Sequence, residues 1–303
     1  MKTRSKVLIF FGGVFALFAT LLLIFGSDGK NDEFQPQNEF KLEPWFFGEI
    51  DIAGVDMSIN KAVVYLLLAA VLTCLTMLWI ANRMQEKPNK VQLVMELAYD
   101  LTRNNITRGN LHDEAMAKRW FAFIATLFFF IWFSNMIGYI PLPTNTHDKV
   151  DVFGLEIPSL ALYAATANLS IPLVLTLVVW FSYHTEGVRK KGFFGYVKGN
   201  FVPPGVSGPA VVPLFAIEVI SDFVRIISLS VRLFANILAG HLLILFMAGG
   251  LVVLLGLAAI GAFTMLMAVP FFIFEVVLVA TLQAFIFATL TSIYLGGATA
   301  EGH

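Results

Sequence analysis

Ser228 to His241 reads SLSVRLFANILAGH, and a fixed positive charge, Arg232, stands in the middle of it. The surrounding stretch from Pro213 to Ala248 is otherwise mostly Val, Ile, Leu, Phe and Ala. A guanidinium in hydrocarbon costs roughly 3 kcal/mol on insertion scales. It does not escape by losing its proton at physiological pH. Such a residue is therefore either functional or neutralised by a partner. Arg225 fits a structural ion pair, with Asp222 three residues before it and Glu218 seven before. Arg232 has no carboxylate within four residues on either side, and its neighbour one turn on is the neutral Asn236. Arg232 accordingly reads as functional.

A helix over this stretch is too long for a bilayer. About 36 residues at 1.5 Å each make roughly 54 Å, against a hydrocarbon core of about 30 Å. It must tilt, bend or emerge. At 100° per residue, Glu218, Ser221, Arg225, Ser228, Arg232 and Asn236 share one stripe. Lipid does not tolerate such a stripe, which must face protein or a wet cavity.

These residues resemble a family signature. SLSVRLFANILAGH is similar to the motif of the a subunit of the rotary F-type ATP synthase membrane sector, and Leu282 to Leu295, LQAFIFATLTSIYL, is similar to that family's C-terminal motif. The resemblance extends more loosely back to about Met57.

Composition restricts the chain to the same class. Hydrophobic residues are 58%, charged residues 14%, and mean hydropathy is +0.78. Soluble domains carry about 25% charged residues. The chain reads as an all-α polytopic membrane protein. We expect about five to six membrane segments, with two long, steeply tilted C-terminal helices and a cytoplasmic amphipathic helix. A net charge of −1 argues against nucleic acid as a partner. The one cysteine, Cys74, lies in an apolar run and reads as inert packing.

Three parts are expected. Residues 1–26 are a signal peptide or an extra N-terminal transmembrane helix, with Lys2, Arg4 and Lys6 before a long apolar core. Residues 27–56 are an external polar loop, rich in acids. Residues 57–303 form the membrane domain. Its first span runs from about Lys61 to Ala81 and ends in Arg83, Lys87 and Lys90. From Asn89 to Asn110, Val91, Val94, Leu97 and Leu101 recur at helical spacing beside Glu96, Asp100 and Arg103. That pattern fits an amphipathic helix on the cytoplasmic surface, a cover for other helices, or both.

Spans follow over Arg119 to Ile140 and Ser159 to Ser182, with Pro172 as a possible kink. Asn135, Thr166 and Asn168 read as helix–helix hydrogen bonders. Arg189, Lys190, Lys191 and Lys198 mark a cytoplasmic loop, and Pro203 to Pro209 a turn into the long helix. The last stretch, Leu251 to Leu295, is again too long for one straight span, and Pro270 is its expected bend. Every Lys/Arg cluster falls on one side, which puts the C-terminus in the cytoplasm.

No P-loop, zinc-ligand spacing or Ser/His/Asp set is present in the sequence. The chain is thus not expected to be an enzyme on its own, nor to need a cofactor or metal. Its scattered intramembrane polar groups read instead as an ion or proton path.

The resemblance implies more. It makes the chain a stator beside a ring of c subunits, each with one mid-membrane carboxyl group, and with b-type peripheral stalk subunits as further partners. It implies a multi-pass protein of the bacterial plasma membrane, coupling proton translocation to ring rotation and ATP synthesis without binding nucleotide itself. Two aqueous half-channels reach mid-membrane from opposite faces, and Arg232 is assigned to the barrier between them. Asn236, His241 and Gln283 match the inlet half-channel; Glu218, Ser221 and Ser228 match the exit half-channel.

His241 lies about 180° around the helix from Arg232, which suits an inlet behind the helix or a hydrogen-bonded interfacial histidine. Gln283 fits the inlet or helix–helix glue. In one respect the chain departs from the family pattern. An acid or histidine often precedes the glutamine by seven residues, but that position is Val276, and Glu275 sits eight before Gln283. A one-residue shift turns a side chain by about 100° unless a π-bulge absorbs it. Glu275 as partner of His241 in the inlet depends on that point. The main rival is a secondary cation/proton transporter, which would carry inverted repeats and paired broken helices. A structural scaffold would leave Arg232 unexplained.

Overall fold

The computed structural model describes residues 20, 44–46, 51–52, 55–56, 58–85, 89–111, 113–140, 149–152, 155–158, 164–202, 208–247 and 258–300. The expected N-terminal signal or helix, Thr20 apart, lies outside them, as do most of the Pro203–Pro209 turn and the connection near Gly249. Eight α-helices are described. They are α1 (Lys61–Arg83), α2 (Lys90–Asp100), α3 (Glu114–Ile137), α4 (Ser170–Lys191), α5 (Phe193–Phe201), α6 (Val211–Leu245), α7 (Ala258–Phe274) and α8 (Ala280–Thr299). A π-helical turn, Leu101–Arg108, extends α2, and another, Glu275–Val279, joins α7 to α8.

Four helical stretches are long and apolar enough to cross a membrane: Lys61–Asn82, Glu114–Ile137, Ser170–Lys191 and Leu266–Thr299. The 35-residue α6 is a fifth of spanning length. At 1.5 Å per residue it measures about 52 Å, so the two C-terminal helices are both longer than a bilayer core. The expected polytopic α-helical fold is therefore present.

Helix starts follow local chemistry. The side chains of Asn60, Asn89 and Asp113 cap α1, α2 and α3 by accepting from the amides of Val63, Gln92 and Ala115. Each satisfies one of the amides that a helix start leaves without a partner.

Some boundaries differ from the sequence expectation. The α4 span begins eleven residues later than Ser159, at Ser170, because residues Ala165–Ala167 form a buried 3-10 turn first. Asn168 Oδ1 accepts from the Ser170 amide at 3.0 Å. Pro172 then falls in the first turn of α4, where its missing N–H is no loss, and not at a mid-span kink. Arg189, Lys190 and Lys191 form the last turn of α4 and complement its dipole; Gly192, at φ +73°, ends the helix, and Lys198 lies on α5 and not in a loop. The acid-rich segment before α1 is not wholly irregular. Pro44–Phe46 pairs with Ile59–Asn60, and Asp51–Ile52 with Val55–Asp56, as antiparallel strands. A further hairpin pairs Lys149–Val152 with Leu155–Pro158.

The described chain forms two units. One comprises residues 1–42, 142–161 and 238–278; within it Ile244, Ala268, His241, Thr264 and Glu275 are buried. The other comprises residues 43–141, 162–237 and 279–303. There α3 packs against α1 and α8, and α4 packs against α8 and α5. Its core includes Ile124, Phe129, Ile131, Val179, Leu233, Ile237, Phe287 and Leu295. Gly138 lets the chain close tightly, since a Cβ there would meet the Ala164 backbone at 2.7 Å.

The outer face of α1 is bare. Leu67, Leu68, Val71, Leu75 and Leu78 are exposed, as a lipid-facing row should be. Cys74 is exposed on the same helix, so it is not the packed residue its apolar context suggested. On α2 the row Val91, Val94 and Leu97 also stays exposed; it does not cover other helices of this chain.

Candidate ion-path residues

Helix α6 has two unlike faces. Asp222, Ile226, Leu229, Ser230, Leu233 and Ile237 are buried at helical spacing. Opposite them Ile217, Ile220, Val224, Ile227 and Val231 are exposed, and Ser228, Arg232 and Asn236 are exposed along the edge between the two faces. The predicted polar stripe is therefore real but graded: Glu218, Ser221 and Arg225 are half-buried, and the last three residues open outward. Arg232 makes no ion pair among the described residues, and its neighbours on the stripe, Ser228 and Asn236, carry no charge.

The buried face is anchored by one carboxylate. Asp222 Oδ2 accepts from Trp180 Nε1 at 2.6 Å and lies 3.2 Å from His184 Nε2. Its Oδ1 accepts from the Tyr183 hydroxyl at 2.6 Å and sits 3.8 Å from Arg225. Arg225 also lies 5.4 Å from the centre of the Tyr294 ring on α8, a cation–π distance. The structural role expected of Arg225 and Asp222 is thus present, but with three partners from α4 that local sequence did not indicate. The one signal was the i, i+3, i+4 spacing of Trp180, Tyr183 and His184 on a helix face. Next to this cluster, on α5, the Tyr196 phenol is pushed up to about 12, first by burial and then by the charge of Asp222, with Arg225 opposing. It stays neutral at physiological pH.

Helices α3 and α8 are joined by a second polar set. Asn135, fully buried, accepts from Thr166 Oγ1 at 2.7 Å and donates to the Ala280 carbonyl at 3.2 Å. Trp132 Nε1 donates to Thr281 Oγ1 at 3.2 Å. Asn135 and Thr166 are therefore the helix–helix hydrogen bonders the sequence suggested. An Arg119–Glu186 ion pair ties α3 to α4.

His241 and Glu275 are both nearly inaccessible and belong to one unit; Gln283, also buried, and Arg232 belong to the other. His241 is 2% exposed, whereas Arg232 is open on its helix. The final helix runs through Pro270, and its departure from α geometry is at Glu275–Val279. A π turn carries one extra residue into the helical ladder.

The model of the ATP synthase A chain family matches residues 63–296. ATP synthase subunit a of Nocardioides sp. is 34% identical over 267 residues, covering 85% of this chain and 86% of its own. ATP synthase subunit a of Brucella ovis is 33% identical over 274 residues, covering 88% and 98%, and that of Brucella canis matches equally. With a bare arginine on a membrane helix longer than the bilayer, and a match over most of its length, the chain belongs to the ATP synthase subunit a family.

Proposed function

We propose that Arg232 is the barrier between two proton half-channels, with Asn236, His241, Gln283 and Glu275 on the inlet side and Glu218, Ser221 and Ser228 on the exit side. The chain is the non-catalytic stator subunit that forms the proton path with the c-ring; the secondary-transporter reading is not favoured. The observation that supports the site reading is the exposed guanidinium of Arg232 on a membrane helix, with only the uncharged Ser228 and Asn236 beside it on its stripe and without an ion pair among the described residues. A cation in that setting needs an anion from another chain.

A ring carboxyl group meets the need. Facing lipid it is neutral, because low dielectric disfavours its charge. Opposite Arg232 the charged form is favoured, so the proton leaves there toward the exit. The carboxyl takes up a proton from the inlet before returning to lipid. His241 and Glu275 suit that supply, since an imidazole and a carboxyl can each accept and pass on a proton. Protons cannot cross directly past a permanent cation, so flow turns the ring. The drive is about 2.3 kcal/mol per charge per 100 mV.

In this reading residues 57–303 are the working membrane domain and residues 27–56 are external. The subunit sits in a bacterial plasma membrane with its C-terminus cytoplasmic, and b-type stalk subunits hold it against the torque. The test is proton pumping and ATP synthesis in membrane vesicles carrying Arg232→Ala, with subunit content checked by gel. We expect normal assembly, no coupled synthesis and a persistent proton leak; near wild-type synthesis by an assembled complex would overturn the assignment.

A further inference from the structure

Between the π turn after α2 and the first turns of α3 lies a cavity of about 130 Å³. That is roughly ten times the space one water needs. Its walls include Tyr99, Arg103, Thr107, Arg108, Lys118 and Phe121. Arg103, Thr107 and Arg108 come from the π turn. Lys118 comes from α3. Tyr99 and Phe121 meet edge to face at 5.2 Å and give the cavity an aromatic side.

The charges around it are unequal. Glu114 engages Lys118 at 3.3 Å and Arg108 at 3.6 Å, and Asp100 is taken by the Asn104 amide. Arg103 has no carboxylate partner among the described residues; it donates to the Tyr99 hydroxyl at 3.1 Å and lies 5.7 Å from that ring. A guanidinium has five N–H donors in a planar fork, so both arginines keep donors for a phosphate. Thr107 Oγ1 already donates to the Thr102 carbonyl at 2.7 Å, and so does not supply one.

The place of the cavity narrows the ligand. It opens where a spanning helix begins, which is the membrane–water boundary. The α2 helix leading to it exposes Val91, Val94 and Leu97 in one apolar row. A cationic opening at the C-terminal end of a helix that bares an apolar row matches a molecule with an anionic head and apolar tails. We propose that this cavity binds the phosphate headgroup of an anionic phospholipid, whose acyl chains lie along the Val91–Val94–Leu97 row. The site is independent of the proton path.

The test uses the whole ATP synthase complex in nanodiscs containing a photoreactive phosphatidylglycerol or, separately, the same photoreactive group on phosphatidylcholine. Adducts are mapped by mass spectrometry. Each cation near an anionic headgroup contributes about fivefold in affinity. We expect phosphatidylglycerol adducts within residues 91–121 to exceed phosphatidylcholine adducts severalfold. In an Arg103→Gln/Lys118→Gln variant that preference should fall to near parity, with subunit content unchanged, both side chains being exposed at the surface. An excess of inorganic phosphate should leave the labelling intact. Equal labelling by the two lipids, or a preference that survives in the variant, would overturn the proposal. Loss of labelling to inorganic phosphate would assign the cavity to the free anion and overturn the lipid reading.

Discussion

Tyr183 on α4 donates its hydroxyl to Oδ1 of Asp222 on α6 at 2.6 Å, and Trp180 holds the other carboxylate oxygen at the same distance. Both oxygens being held, the rotation of α6 about its own axis is fixed. With Asp222 inward, Ser228 and Arg232 fall about 120° and 80° around the helix from it, and both are exposed. A hydrogen bond to a charged group contributes about 1.5–3 kcal/mol, and removing one partner of a buried charged set costs about 3–5 kcal/mol. Tyr183→Phe should therefore lower the melting temperature of the purified complex, and Asp222→Ala should lower it further. Calorimetry or heat-dependent loss of the subunit from the complex would measure this. Unchanged melting in both variants would mean that the cluster does not anchor α6.

Gly138 permits a close backbone approach in the α3 unit. A methyl group there would meet Ala164 Cα at 2.7 Å and its amide nitrogen at 2.8 Å, and backbone cannot move aside as a flexible side chain can. Overpacking of this kind costs about 1–3 kcal/mol. Gly138→Ala should reduce the amount of subunit assembled into the membrane. Gly199, on α5, has open space where its Cβ would be. Gly199→Ala should assemble normally, since alanine is the better helix former by about 1 kcal/mol. Equal assembly of the two variants would contradict the tight Gly138–Ala164 approach.

The long helices and the polar stripe on α6 were legible because length, hydropathy and the 3.6-residue period are local properties of a sequence. Arg232 stood out for want of a carboxylate nearby, a fact of spacing alone. What was not legible depends on tertiary contact. Trp180, Tyr183 and His184 precede Asp222 by 42, 39 and 38 residues, so no window of sequence joins them. The start of α4 was displaced because Ala165–Ala167 are apolar enough for a span yet fold as a 3-10 turn against α3. The short strands before α1 are stabilised by pairing with one another, which period-2 patterning over two or three residues cannot reveal. The π turn at Glu275 lay between these cases. A spacing of eight where the family pattern has seven left a rotated side chain and a π-bulge as alternatives, and did not decide between them.

That turn carries a prediction for the proposed inlet. If the extra residue of Glu275–Val279 already compensates the spacing, moving the acid to the seventh position should spoil the register. The exchange Glu275→Val with Val276→Glu keeps composition and charge but turns the carboxyl by about 100° around the helix. We expect proton-driven ATP synthesis to fall severalfold in the exchanged variant, with the complex assembled. Proton flux equal to wild type would show that the π turn does not set the register of the acid.

Arg232→Lys separates charge from chemistry at the proposed barrier. If positive charge alone sufficed, lysine would preserve coupling. We expect it to fail, for two reasons. An ammonium gives up its proton on burial far more readily than a guanidinium, so between successive ring carboxylates it would become neutral and cease to repel protons. The ring also moves past α6, so each carboxylate approaches from one side and leaves on the other. A planar fork of donors can hold such a partner in several orientations, whereas a compact ammonium acts as a point charge. The exposed setting of Arg232, with Ser228 and Asn236 one turn to either side, leaves room for that swing. The measurement is ATP synthesis and passive proton permeability in vesicles from Arg232→Lys cells across a range of pH. Synthesis should be lost, and the leak should grow as pH rises and a larger share of the lysine is neutral. Wild-type synthesis with a pH-independent leak would mean that a fixed charge, and not the guanidinium, is what the barrier requires.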